Sequence, residues 1–140
     1  VADYGAVDGA VVSVLLADAA LMAIAPDGVF IDISPSGSTR FVIVSRVPEA
    51  DMGRMFGADA YAQLSYLVKV VDKNTSGTKA VQGAARIDAV LVGQPLPLTG
   101  YQHMQTELDD PVRFVETDDD EPDTRWQHAG GRYAVWVSPA

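Results

Sequence analysis

The sequence predicts an α+β fold: a largely antiparallel sheet with two helices, one main helix packing on one sheet face. Two adjoining stretches and their punctuation carry that expectation. In Ala62, Leu64, Tyr66, Val68 and Val70 every second side chain is apolar, with polar Gln63, Ser65 and Lys69 between them and only Leu67 and Val71 breaking the pattern. Period-two alternation of this length marks a strand with one face buried. Ala80, Ala84, Ile87 and Leu91 then recur at helical spacing, with Lys79, Gln82 and Arg86 on the far side. The turn-forming run from Asp72 to Gly77 separates the two patterns, and Gly93 and Pro95 end the second. One apolar face and one apolar stripe can bury each other, so this unit is expected at the centre of the sheet.

With 140 residues the chain is expected to be a single domain, 1–140. Its composition is that of a globular protein, with 48% hydrophobic residues and 21% charged. No apolar run reaches the roughly 20 residues that a membrane-spanning helix needs, so no membrane is expected as a partner. The start has no basic segment and apolar core of a secretory signal, and since it is not Met, trimming is expected. The absence of cysteine excludes disulfides and thiolate metal sites. The net charge of −9 argues against a nucleic-acid binder, which gains affinity by neutralising phosphates with Lys and Arg.

Taken in order, the first element is a helix that Asp8 can cap, with Val11, Leu15, Ala19 and Met22 on one side. A break is expected near Asp18, which can cap a short second turn running to Ile24 before Pro26-Asp27-Gly28 stops it. Val29 to Ile33 and Arg40 to Val47 read as strands, and Ser34-Pro35-Ser36-Gly37-Ser38 between them predicts a hairpin. From Pro48 to Asp59 the pattern lapses, and a loop carrying Met52, Met55 and Phe56 is expected. Folding back onto the core or ordering against a neighbouring subunit would each satisfy those side chains. The central strand, Ala60–Asp72, and the helix, Thr78–Val92, follow, and Pro95 to Leu98 is an extended connector. Tyr101 to Leu108 is ambiguous, Val112 to Glu116 reads as a strand, and 118–123 is an acidic loop. Trp126 to His128 and Arg132 to Val137 read as the last strands, separated at Ala129-Gly130-Gly131 by a turn or a bulge.

Chemistry is hard to find. His103 and His128 are the only histidines and belong to no spaced ligand pair. Neither a nucleophile elbow nor a phosphate loop is present: Ser76-Gly77-Thr78-Lys79 lacks the leading glycine and residue order of the latter. The carboxylates at 118, 119, 120, 121 and 123 are the only candidate metal site, but their spacing fits no calcium loop, so a solvated loop is expected and no metal or cofactor is assigned. Asn74-Thr75-Ser76 matches a glycosylation sequon with no secretory signal to support it. No catalytic constellation emerges, and a structural or assembly role follows.

An ordered set of features carries a resemblance: Leu15 to Leu21 near the start, Phe41 to Ser45 in an early strand, the long strand to Asp72, the helix from Ala80 to Val92 followed by Gly93-Gln94-Pro95-Leu96, and the closing run from Trp126 to Val137. In that order and spacing the chain resembles the tail terminator (tail completion) proteins of long-tailed bacteriophages and related phage-like particles. The resemblance implies a compact α+β subunit that assembles with itself into a ring, usually of six copies. That ring closes the tail tube and meets the tail tube protein and a head-completion or connector protein. It also implies a virion location at the head–tail junction after assembly in the host cytoplasm, passage of genomic DNA without specific binding, and no enzymatic residues. Head-to-tail contacts in a ring are heterologous and need different surfaces on the two sides of a subunit. Arg54, Met55 and Phe56 are the expected subunit or tube contact, because interface cores are enriched in Met, Phe and Arg. Other readings of the residues are another small head–tail connector or minor tail protein, and a small α+β metal- or ligand-binding module.

Overall fold

The computed structural model describes residues 3–55 and 58–139, and side chains outside 48–60. In chain order the elements are α1 (Gly5–Leu16), α2 (Ala19–Ile24), β1 (Val29–Ile31), β2 (Arg40–Met55), β3 (Ala58–Lys73), α3 (Thr78–Val92), β4 (Tyr101–Thr117) and β5 (Arg125–Pro139). The strands form one five-stranded sheet in the order β1-β2-β3-β5-β4, antiparallel except where β1 meets β2. All three helices lie against one face of it.

The expected central unit is present. Ala62, Leu64, Tyr66, Val68 and Val70 are buried on the helix side of β3, and Ala80, Ile87 and Leu91 of α3 are buried against them with Ala84 half-covered. Gly83 lets the helix approach: a Cβ there would run into the Val70 side chain. The two largest buried residues, Tyr66 and Tyr133, each hand their hydroxyl to a carboxylate, Asp8 and Asp88 respectively. Burial pushes both phenols well above their ordinary range, so each is a donor. Asp8 therefore does not cap α1, as the sequence suggested. It sits in the first turn, 3.6 Å from Arg46 Nε, and the Asp3 carboxylate accepts from the Gly5 amide instead. The break at Asp18 is as expected. Its carboxylate accepts from the Leu21 amide at the start of α2 and takes both Arg86 Nε (2.6 Å) and a terminal guanidinium nitrogen (2.7 Å). That two-pronged pair fastens α2 to α3, and the Arg86 hydrogen bond holds the Asp18 carboxyl below its usual range. On the N-terminal segment Val11 and Leu15 are buried, while Leu21 and Ala25 rather than Ala19 continue the core.

Five strand expectations are corrected. The segments at 29–31 and 40–47 are not a hairpin: β1 runs parallel to β2, with Val29 opposite Val42 and Ile31 opposite Val44. Asp27 causes this, because its carboxylate accepts from the amides of Thr39 (2.7 Å) and Arg40 (2.9 Å) and so sets both strands off from the same end. A γ-turn at Asp32 (φ 63°), closed by the Ile33 amide on the Ile31 carbonyl, ends β1 two residues early. The segment expected as a loop from Pro48 is strand as far as Met55, and its lost alternation reflects register shifts at Val47/Ala50 and Gly53/Arg54. Bulges at His103/Gln105 and Leu108/Asp110 hide a 17-residue β4 in the same way. Finally, β5 runs unbroken through Gly130-Gly131. A Cβ at Gly130 would collide with the Val68 carbonyl and the Lys69 backbone, and one at Gly131 with Leu108, so these glycines mark a close approach of strands.

The face away from the helices holds a second, smaller cluster. Phe41, Ile43 and Val71 are buried there with Phe30 and Trp126 against them, the rings meeting edge to face. Beside it His128 is buried, with Nε2 3.0 Å from Glu116 and Phe114 stacked 4.1 Å from its ring. Burial lowers the His128 pKa, and the Lys69 and Arg113 charges act the same way against the opposing pull of Glu116.

Gly130→Ala should lower stability by about 1–3 kcal/mol or more, because the colliding atoms are backbone. Gly9→Ala, in the exposed part of α1 with nothing near its Cβ, should raise it by about 0.5–1 kcal/mol. Urea titrations of the two variants check both signs. A folded-state histidine pKa below 6.5 means that the unfolded chain binds the proton first as pH falls. Stability should therefore be full above about pH 6.5 and decline as pH drops toward the folded pKa, before carboxylates titrate. His128→Gln should flatten most of that slope in urea midpoints taken at about pH 7.5 and 5.5, the remainder belonging to His103, which burial also lowers.

Candidate assembly surfaces

The pairing of β5 with β3 stops at Ala62 opposite Val137, but β2 and β3 stay paired as far as Met55 opposite Ala58. Beyond the sheet the hairpin thus continues as a two-stranded arm, with Gly53 opposite Tyr61 and Arg54 opposite Asp59. A two-stranded ribbon is at best marginally stable alone in water. Of the expected contact residues, Arg54 and Met55 fall at the end of β2 in this arm, and Phe56 lies outside the described residues. The bulges that obscured the strand in the sequence also kept the arm from being foreseen.

The acidic segment between β4 and β5 is a hydrogen-bonded turn. Asp118 accepts from the Asp120 amide (3.0 Å) and sits 3.5 Å from Trp126 Nε1, while Glu121 accepts from Thr124 Oγ1 (2.9 Å) and pairs with Lys73 (3.3 Å). These contacts lower both carboxyls: for Asp118 chiefly the Asp120 amide, for Glu121 chiefly the Thr124 hydroxyl. Asp119, Asp120 and Asp123 are exposed, and among the described residues no three acidic or histidine side chains are placed to hold a metal.

On the helix-free face Phe41, Ile43, Leu67, Lys69, Trp126 and His128 line an open groove of about 390 Å³. Lys69 Nζ lies 4.9 Å from the centre of the Phe114 ring, and burial lowers its pKa. Among the described residues neither Ser34 nor Ser45 of its lining is hydrogen-bonded to His128 or Glu116. The other histidine fares no better. His103 Nδ1 accepts from the Leu96 amide, so Nε2 carries the proton and donates to Thr106 Oγ1 at 2.8 Å. An imidazole in that tautomer cannot take the Thr106 proton.

The last surface is the outer edge of β4. This strand ends the sheet and is exposed along most of both faces, with Met104, Leu108, Phe114 and Val115 among the large apolar side chains in water.

No curated protein matches the chain. Among solved structures, a chain from one described as "Virion of native gene transfer agent (GTA) particle" superposes with a TM-score of 0.70 at 23% identity, over 96% of this chain and 99% of that one. At that identity the likeness establishes a shared fold. The model of the family described as "Tail completion protein gp17" matches residues 9–138, from the first turns of α1 to the last residues of β5. Because that match spans nearly the whole sequence, the chain belongs to the tail completion protein gp17 family.

Proposed function

We propose that this subunit, a structural protein of the virion tail by its family, forms a ring of six copies that closes the tail tube and joins it to the head. The observation that carries the reading is the β2–β3 arm, which leaves the sheet with no third strand beside it among the described residues. An arm on one side of a subunit and a different surface on the other is what a heterologous, ring-closing contact requires. Arg54 and Met55 at its end, with Phe56 next in the sequence, supply the contact with the next subunit or with the tail tube protein. Full burial of a Met or Phe side chain is worth about 1.5–3 kcal/mol, which offsets the ordering of a marginal ribbon. The opposite rim meets a head-completion or connector protein. With a net charge of −9, the ring leaves a channel through which DNA passes without adhering. The subunit performs no catalysis, and it assembles in the host cytoplasm before taking its place at the head–tail junction. A small connector or minor tail protein would share the fold and differ in position, which imaging of the chain within a particle resolves.

Native mass spectrometry of the purified chain should show a closed ring. The double change Met55→Ser with Phe56→Ser should abolish it while the monomer's Tm moves by less than about 4 °C, the shift that ~1 kcal/mol makes in a domain of this size. A monomer that melts far earlier would instead assign these side chains to the subunit's own core.

A further inference from the structure

We propose that the outer edge of β4 between Val112 and Thr117 receives an extended segment of another protein, apolar in its centre and basic at both ends, as a sixth strand. β4 is the sheet's terminal strand, and among the described residues nothing pairs with its outer side. Alternate residues there direct their N–H and C=O groups away from β5, which makes a template for an added strand. Over most of its length the edge is blunted. Bulges interrupt it at His103/Gln105 and Leu108/Asp110, and Pro111 removes a donor. From Val112 opposite Gly130 to Thr117 opposite Arg125 the register is unbroken, so this length alone is straight and open.

Side chains and charge define the occupant. Phe114 and Val115, on opposite faces of this length, are 42% and 50% exposed, and an incoming strand would cover both. Carboxylates bracket it: Asp109 and Asp110 precede it, Asp119 and Asp120 follow it, all exposed and in no ion pair among the described residues. A second copy of β4 is the wrong partner. Antiparallel pairing about the Phe114–Val115 bond would set Arg113 against Glu116, but those side chains are already held by Gln127 and His128, whereas Asp110 against Asp119 and Asp109 against Asp120 would be like charges with nothing to offset them. Lys or Arg at both ends of a strand of about six residues meets all four carboxylates, while alternating apolar residues meet Phe114 and Val115. This reading is independent of the ring, whose contact is the arm at the other strand pair.

The test uses the intact protein and three labelled decapeptides: one with a Val/Thr centre and paired lysines at each end, one with the same centre and glutamates, and one with the lysines around a Gly/Ser centre. Fluorescence anisotropy should show the first binding, with the other two about tenfold weaker or more, and hydrogen exchange should slow at the amides of Val112–Thr117. Asp109→Lys with Asp110→Lys should weaken the first peptide about tenfold and favour the glutamate one. Should that variant fail to fold, Asp119→Lys with Asp120→Lys in the turn is expected to have the same effect. Failure of the first peptide to bind, equal binding of the Gly/Ser peptide, or protection elsewhere would overturn the proposal. So would edge amides already protected in the protein alone by self-association that Val115→Lys abolishes.

Discussion

The contact of Val70 with Gly83 sets the distance between the helical layer and the sheet, and the rest of the subunit follows from it. With no side chain at 83, α3 settles onto β3 closely enough for Ile87, Val90 and Leu91 to reach the strand's apolar face. The same seating puts Asp88 over the Tyr133 hydroxyl and Arg86 beside Asp18, so helix and strand bury their polar tips already paired. β3 is then held from three directions, hydrogen-bonded to β2 and β5 at its edges and roofed by α3. Residues that leave this central strip, in the arm or along β4, do so from a rigid base.

The central unit was legible in the sequence because its periods were clean. Alternation from Ala62 to Val70 and the stripe through Ile87 and Leu91 survive unaltered in the fold, and so does the cap at Asp18. The errors fall where a neighbouring strand or a distant side chain decides the local structure. A bulge adds a residue to one strand and shifts the later side chains to the opposite face, so β2 past Val47 and β4 before Asp110 read as irregular. The glycines at 130 and 131 carry the signature of a turn but serve a close approach of strands, which only the neighbours at Val68 and Leu108 reveal. Likewise, the direction of β1 depends on a carboxylate at Asp27 reaching amides twelve residues on, and no local pattern encodes that. Of the candidate contact, residues 54 and 55 were legible as apolar and cationic material with no home in a period, but the arm that carries them was not.

The surfaces divide by kind. The helical side is closed on its own core, whereas the arm, the aromatic groove and the β4 edge remain open. Membership of a tail completion family gives such openness a physical sense, since a virion component reaches its final state only inside an assembly. The histidines support the same division. Both are tied to neighbours, His103 through both ring nitrogens and His128 through Nε2 to Glu116.

The order of pairing along the chain has a kinetic consequence. β2 with β3, and β4 with β5, are hairpins of neighbouring strands, whose short loops close on microsecond timescales. Joining them requires β3 to find β5 across α3 and the whole of β4, a non-local search with a larger loop-closure entropy. At that seam Gly130 lies against the Val68 carbonyl and the Lys69 backbone, while Gly131 lies against Leu108 within the β4–β5 hairpin. A hairpin slipped so that Ala129 took the place of Gly130 would bring its methyl group against the Val68 carbonyl. Gly130 thus bars that one misalignment as the two halves of the sheet come together.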